Sequence, residues 1–282
     1  AKRRSWRLSR RISAMADRLP RFCIFGDSHY ACLKQAEMQG LVDVSGIDLE
    51  YWGHVGGRFR YLEARDGAIY PKDDFTAMRF AKFNAKGRTF LPAADFDVIL
   101  VMGARVYIWR LFQRVLALLS AGPLVSEGLQ RRILSDDMRR HLGYRLARGL
   151  AASGTARILL APTAYYTEGA EAFVSAIPPE IAALIPDRVP EFWRILKAAA
   201  AEDGITLLSQ PEETVAQGMF TSTAYAVDGH AAKQDFEHHN AAFGAAILAQ
   251  VMPMVRGTAR QGRSGGLAAS PGPRQDDRKV EG

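Results

Sequence analysis

Short apolar runs alternate with longer stretches of helical spacing along most of this chain. Residues 21–26 (RFCIFG) form a strand-length apolar run closed by glycine, and the polar turn Asp27-Ser28-His29 leads into helix-compatible residues 30–39. Residues 47–52 read as a second strand, ended by Gly53 and the pair Gly56-Gly57. A polar, aromatic-rich connection follows, and then residues 97–103 (DVILVMG), the clearest buried strand. A continuous apolar run bounded by glycine is what a parallel sheet covered on both faces requires. Helical spacing fills residues 106–119 and 127–152, the latter with Arg131, Arg132, Arg139, Arg140, Arg145 and Arg148 on a solvated face. Residues 156–161, stopped by Pro162, give a fourth strand and residues 205–208 a fifth, with helices over 179–184 and 190–201 between them. Residues 210–235 read as a long loop, and residues 236–251 as a closing helix with Phe243, Ile247, Leu248 and Val251 on one side. This alternation predicts an α/β fold over residues 21–255, a three-layer sandwich around a five-stranded parallel sheet.

Composition agrees with a globular body. The chain has 282 residues, 48% hydrophobic and 24% charged, so a core is available without staples. No apolar run approaches the ~18 residues of a membrane helix, and the two cysteines, Cys23 and Cys32, support neither a disulfide framework nor a cysteine zinc site. The net charge of +7 changes meaning once it is located. Residues 1–21 carry eight Lys or Arg against one Asp, and residues 256–282 six basic against three acidic, which leaves 23 basic and 26 acidic between them. The body is therefore slightly acidic, and the charge belongs to a basic N-terminal arm over residues 1–20 and to a Gly-, Ser- and Pro-rich tail over residues 256–282, read as disordered. The arm, with Trp6, Leu8, Ile12 and Met15 among its arginines, has the character of a segment that meets an anionic membrane surface or nucleic acid. It lacks the apolar centre of a secretory signal, so a cytoplasmic location is expected. Nothing in the pattern fixes the oligomeric state.

In an open α/β sheet, ligands bind beyond the carboxyl ends of the strands, where Ser28 falls. Backbone N–H groups at the start of the following helix point toward any developing negative charge, and a base is needed to make such a serine nucleophilic. Asp235-Phe-Glu-His238 lies just ahead of the last helix, where one short segment supplies both an imidazole and a carboxylate to orient it. The spacing favours His238 over the adjacent His239 and over Asp228-Gly-His230. A metal site built from His230, His238, His239 and Asp235 is the other chemistry these residue types allow. Asp27 reads as a turn or cap residue and His54 as a surface or loop histidine. Tyr107 and Trp109 after the third strand, and Tyr165 and Tyr166 after the fourth, stand where substrate-lining rings would be.

Gly26-Asp27-Ser28 after the first strand, with Asp235-x-x-His238 before the last helix, resembles the SGNH, or GDSL, hydrolase family over residues 21–252. The resemblance implies a flavodoxin-like fold and a triad of Ser28 as nucleophile, His238 as base and Asp235 as its orienter. It implies an acyl-enzyme, with no metal or organic cofactor. The contexts of Gly26-Asp27-Ser28-His29 and His238-His239-Asn240 resemble bacterial branches that act on O-acylated, mainly O-acetylated, carbohydrate as esterases or acetyltransferases. The expected partner is then an O-acylated glycan or a small ester. In that family a second-block glycine helps form the oxyanion hole, for which Gly56 and Gly57 are the candidates beside the Ser28 N–H. The third block normally reads Gly-x-Asn, whereas this chain has Gly103-Ala104-Arg105. Arg105 is the candidate replacement donor, since a guanidinium donates hydrogen bonds to an oxyanion. Loss of the Asn motivates the alternative, a non-catalytic glycan-binding or assembly module on the same fold.

Overall fold

The computed structural model describes residues 18–122, 125–172 and 176–264. The first half supplies β1 (Arg21–Gly26), α1 (Ala31–Met38), β2 (Asp48–Gly53), α2 (Asp74–Phe83) and β3 (Val98–Gly103). Three helices follow: α3 (Ile108–Ser120), α4 (Glu127–Arg140) and α5 (Leu142–Ala151). The chain then forms β4 (Arg157–Pro162), α6 (Ile185–Glu202), β5 (Ile205–Leu207) and α7 (Ala241–Ser264). The five strands make one parallel sheet in the order β2-β1-β3-β4-β5. This is the flavodoxin-like order, whose switch point lies between β1 and β3.

Both faces of the sheet are covered, which is why its strands read as unbroken apolar runs. Phe22, Ile24, Leu100 and Leu159 face α1 and α7, while Cys23, Phe25, Val101 and Leu160 belong to the core under α3, α4, α5 and α6. Both cysteines are buried free thiols, and burial pushes Cys32 up to about 12. The α1–α7 contact is close, since a side chain on Gly244 would place its Cβ 2.1 Å from the Cys32 carbonyl oxygen. That approach fixes the start of α7, and the loop before it, against the element that follows β1.

Several boundaries differ from the pattern reading. The helix expected over 127–152 is two helices, because His141 is extended (φ −62°, ψ 136°) and turns the chain. The helix expected from Pro190 starts five residues earlier at Ile185 and carries that proline inside it. The connection between β2 and β3 holds α2 and a small antiparallel sheet of residues 62–65, 68–71 and 91–92. The loop over 210–235 contains a two-residue strand pair and the short helix His230–Lys233. The last helix begins at Ala241, not residue 236, and runs to Ser264, into the segment expected to lack structure. The rest of that tail lies outside the described residues, as does the basic arm up to residue 17; Arg18 of the arm pairs with Asp97 at 2.6 Å. No helix of the described residues is long and apolar enough to cross a membrane.

Gly244→Ala is expected to lower unfolding stability by roughly 1–3 kcal/mol through the clash with Cys32. Gly257→Ala in the same helix, where an added Cβ meets nothing within 4 Å, is expected to raise it by about 0.5–1 kcal/mol. Denaturant midpoints of the two variants against the unchanged chain measure both.

Candidate active site

β1, β2 and β3 each end on glycine, at Gly26, Gly53 and Gly103, and the loops leaving that edge build the site. Ser28 opens a single 3₁₀ turn, Ser28–Tyr30, and is exposed at the switch point. Its Oγ lies 2.9 Å from His238 Nε2, a contact between residues 210 apart in sequence. His238 Nδ1 lies 2.9 Å from Asp235 Oδ1 and 3.1 Å from Oδ2, and its backbone N–H donates to the same carboxylate at 3.2 Å. With the ring proton on Nδ1, Nε2 is left to accept the Ser28 hydroxyl proton. Burial would raise the Asp235 pKa, but the hydrogen bond and charge of His238 outweigh it and hold it below its usual value. Asp235 therefore stays ionised and orients the ring.

The neighbouring histidines are turned elsewhere. His239 is buried, stacks on Phe243 at 4.4 Å, and is pushed down to about 3 by burial and by the charges of His29 and His238. His230 packs edge-on to Phe236 at 5.7 Å. Neither reaches Ser28, and the four residues weighed as a metal set do not converge: among the described residues no three His, Cys, Asp or Glu side chains cluster to hold an ion.

The sequence reading missed a second pair beneath the first. Asp27, 2% exposed, accepts from His29 Nδ1 at 2.6 Å and from the His29 backbone N–H at 3.3 Å. It also accepts from the Ala104 backbone N–H beyond β3. Burial would raise Asp27 and lower His29, yet the hydrogen bond and charge between them reverse both directions, which favours the ionic form of the pair. The His29 ring stacks on that of His238 with centroids 5.4 Å apart, and its Nε2 is buried without a partner. Asp27 is thus more than a cap, because it ties the Ser28 turn to the turn after β3. The Asp-x-His spacing in Gly26-Asp27-Ser28-His29 was the available signal.

Gly103, Ala104 and Arg105 all have positive φ (68°, 50° and 60°), a left-handed turn that costs energy at the two non-glycine residues. Its supports are local. Ala104 N–H is held by Asp27, the Arg105 carbonyl lies 3.2 Å from His141 Nδ1, and α5 approaches so closely that a Cβ on Gly143 would sit 2.3 Å from the Ala104 oxygen. The break at His141 is what brings Gly143 there. The turn carries the Arg105 guanidinium to Gly56: a Cβ on Gly56 would lie 3.5 Å from both Arg105 Nη1 and Asp27 Oδ2. Gly57 faces open space, so of the two glycines it is Gly56 that stands beside the site. Among the described residues no carboxylate pairs with the Arg105 side chain, whose guanidinium lies 5.7 Å from the centre of the Tyr107 ring.

The four aromatics divide. Trp109 and Tyr165 are 8% and 3% exposed and belong to the core, with the Tyr165 hydroxyl accepting from Trp193 Nε1 at 3.0 Å. They pack and do not present open rings. Tyr107 and Tyr166 are half-buried; Arg110 stacks over Tyr107 at 4.7 Å, and the Tyr166 hydroxyl donates to Glu237 at 2.9 Å. None of the four lines the cleft that contains Ser28. That cleft, about 520 Å³, runs between α1 and the loop after β2. His54 stands in the loop after β2, one of the two places expected for it, but it is buried in the cleft wall and not at the surface; burial, with the charges of Arg58 and Arg79, lowers its pKa. The lining was findable as the residues following β1 and β2.

No protein-family model matches the chain, and no curated protein matches it.

The Asp27–His29 pair carries a pH signature. His29, raised above 6.5, stabilises the fold at lower pH and loses that contribution as pH rises through its folded value; Asp27, held below 3.8, loses its own as pH falls through its folded value. The melting-temperature deficit of His29→Gln is therefore expected to be largest near about pH 5–6 and to shrink on either side.

Proposed function

We propose that this protein is a serine esterase or acyltransferase of the SGNH type, acting on an O-acylated substrate through an acyl-enzyme. The observation that carries the reading is the continuous relay from Ser28 Oγ to His238 Nε2 and from His238 Nδ1 to Asp235, with both principal contacts at 2.9 Å. A nucleophile, a base in hydrogen-bond reach and a group orienting that base are the parts covalent acyl transfer needs. A binding module has no use for a base held against an exposed serine, and that contact favours the enzymatic reading.

In the proposed reaction the Ser28 oxygen attacks the ester carbonyl as its proton passes to His238 Nε2. The carbonyl electron pair collects on oxygen, facing the N–H groups of Ser28 and Gly56 and the guanidinium of Arg105. His238 then gives the proton to the departing alcohol oxygen, leaving the acyl group on Ser28. Water releases it in hydrolysis, or a second hydroxyl in transfer, with His238 again taking and returning a proton. Arg105 fills the place of the family's third-block Asn, and its approach to Gly56 supports that substitution. The resemblance of the first and last motifs to carbohydrate-acting branches makes a sugar hydroxyl the proposed alcohol. The half-buried Tyr107 and Tyr166, with Arg110 and Glu237, offer that side a polar, aromatic surface.

Steady-state hydrolysis of 4-nitrophenyl acetate and of O-acetylated oligosaccharide tests the reading. Ser28→Ala and His238→Ala are each expected to lower kcat by about 10⁴-fold or more, and the double variant by little beyond either, since the residues act as a unit. Arg105→Ala is expected to lower kcat by roughly 10²–10³-fold, the cost of one oxyanion donor. Unchanged turnover in Ser28→Ala overturns the proposal.

A further inference from the structure

The cleft beside Ser28 has a chemical character of its own. Ser28 and Gly56 form part of its wall, and the rest is mainly apolar: Tyr30 and Ala31 at the start of α1, Met38 at its end, Val55 in the loop after β2, and Phe83 at the end of α2. Met38, Val55 and Phe83 are 77%, 48% and 37% exposed, three large apolar side chains left uncovered around one opening. Grouped exposure of this kind on a polar-surfaced domain marks a place where something apolar is covered. The polar members do not reverse the character. His54 is held neutral and Asp27 is already paired with His29, while Lys34 and Gln35, on the same stripe of α1 as Ala31 and Met38, are exposed and keep their polar ends in water at the rim.

Which part of an ester occupies the cleft follows from the base. His238 must protonate the departing alcohol, so the alcohol lies on the His238 side of Ser28 and the acyl group on the other. The cleft wall includes Ser28 and Gly56 but none of Asp235, Glu237 or His238. It is on the acyl side. An acetyl group would place a single methyl in about 520 Å³ and leave Met38, Val55 and Phe83 as exposed as before.

Resting on the triad reading above, we infer that the acyl group is an aliphatic chain longer than acetyl, lying between α1 and the loop after β2 with its tail against Met38, Val55 and Phe83. The substrate is then amphiphilic, apolar on the acyl side of Ser28 and polar on the alcohol side. This replaces acetyl as the expected acyl group.

The test compares two ester series on the full chain, with Ser28→Ala as blank. In the first, 4-nitrophenyl esters run from acetate to octanoate; in the second, the acyl group stays acetate and the alkyl alcohol lengthens. The kcat/KM is expected to rise about two- to fourfold for each added acyl methylene up to hexanoate or beyond, following apolar burial, and to stay flat along the alcohol series. Met38→Ser and Val55→Ser are each expected to flatten the acyl slope, and Ala31→Trp to move the optimum to the shortest chains, with folding checked by circular dichroism. A Ser28-dependent activity that is flat or falling along the acyl series, or that rises along the alcohol series instead, overturns this inference and leaves the triad standing. No Ser28-dependent turnover of any ester by the folded chain overturns the triad reading, and this inference with it.

Discussion

A carboxylate removed from water must be given partners, and Asp27 takes its partners from the two turns that flank the switch point. One is its own turn, through the backbone and ring of His29; the other is the turn after β3, through the Ala104 N–H. The cost of burying this charge is offset only while those donors stay in place, because a buried charge that loses its partner is strongly destabilising. The site geometry inherits that constraint. Ser28 sits between the two residues of the pair, His238 lies over the His29 ring, and Arg105 follows directly on the residue Asp27 holds. Strain in the left-handed Gly103-Ala104-Arg105 turn is met by the same contacts, with α5 pressed against it from behind.

The other half of the site arrives from the far end of the chain. Asp235 and His238 occupy the loop before α7, and α7 is fixed by its close packing on α1 across Gly244 and the Cys32 carbonyl. Since α1 is the helix that follows the Ser28 turn, one helix–helix contact sets the distance between Ser28 and His238. The site is therefore built on rigid elements of the fold, although Ser28, Asp235 and His238 themselves stand on the turns and loops between those elements.

The sheet was legible because each strand, buried on both faces, is a continuous apolar run, and the predicted strands fall within a residue or so of β1 to β5. The contact of Ser28 with His238 and of His238 with Asp235 was legible because a serine–imidazole–carboxylate relay needs those residue types beyond the sheet edge and ahead of the last helix. What was missed depends on tertiary contact. The break at His141 has no proline or glycine at that position and follows from the packing of α5 on the Ala104 turn. The small sheet between β2 and β3 has strands of only two to four residues, yet its hairpin turn, Asp66-Gly67 with φ of 52° and 72°, is an Asp-Gly signal that could have been read. Trp109 and Tyr165 were placed at the right edge of the sheet, but a strand-end position does not say whether a ring faces the opening or the core.

In the proposed relay His238 and Asp235 make the Ser28 hydroxyl nucleophilic. Intact mass after incubation with a fluorophosphonate tests it without any assumption about substrate. A single adduct is expected on the unchanged chain, none on Ser28→Ala, and markedly slower labelling of His238→Ala. An adduct on folded Ser28→Ala, or none on the folded unchanged chain, would contradict it.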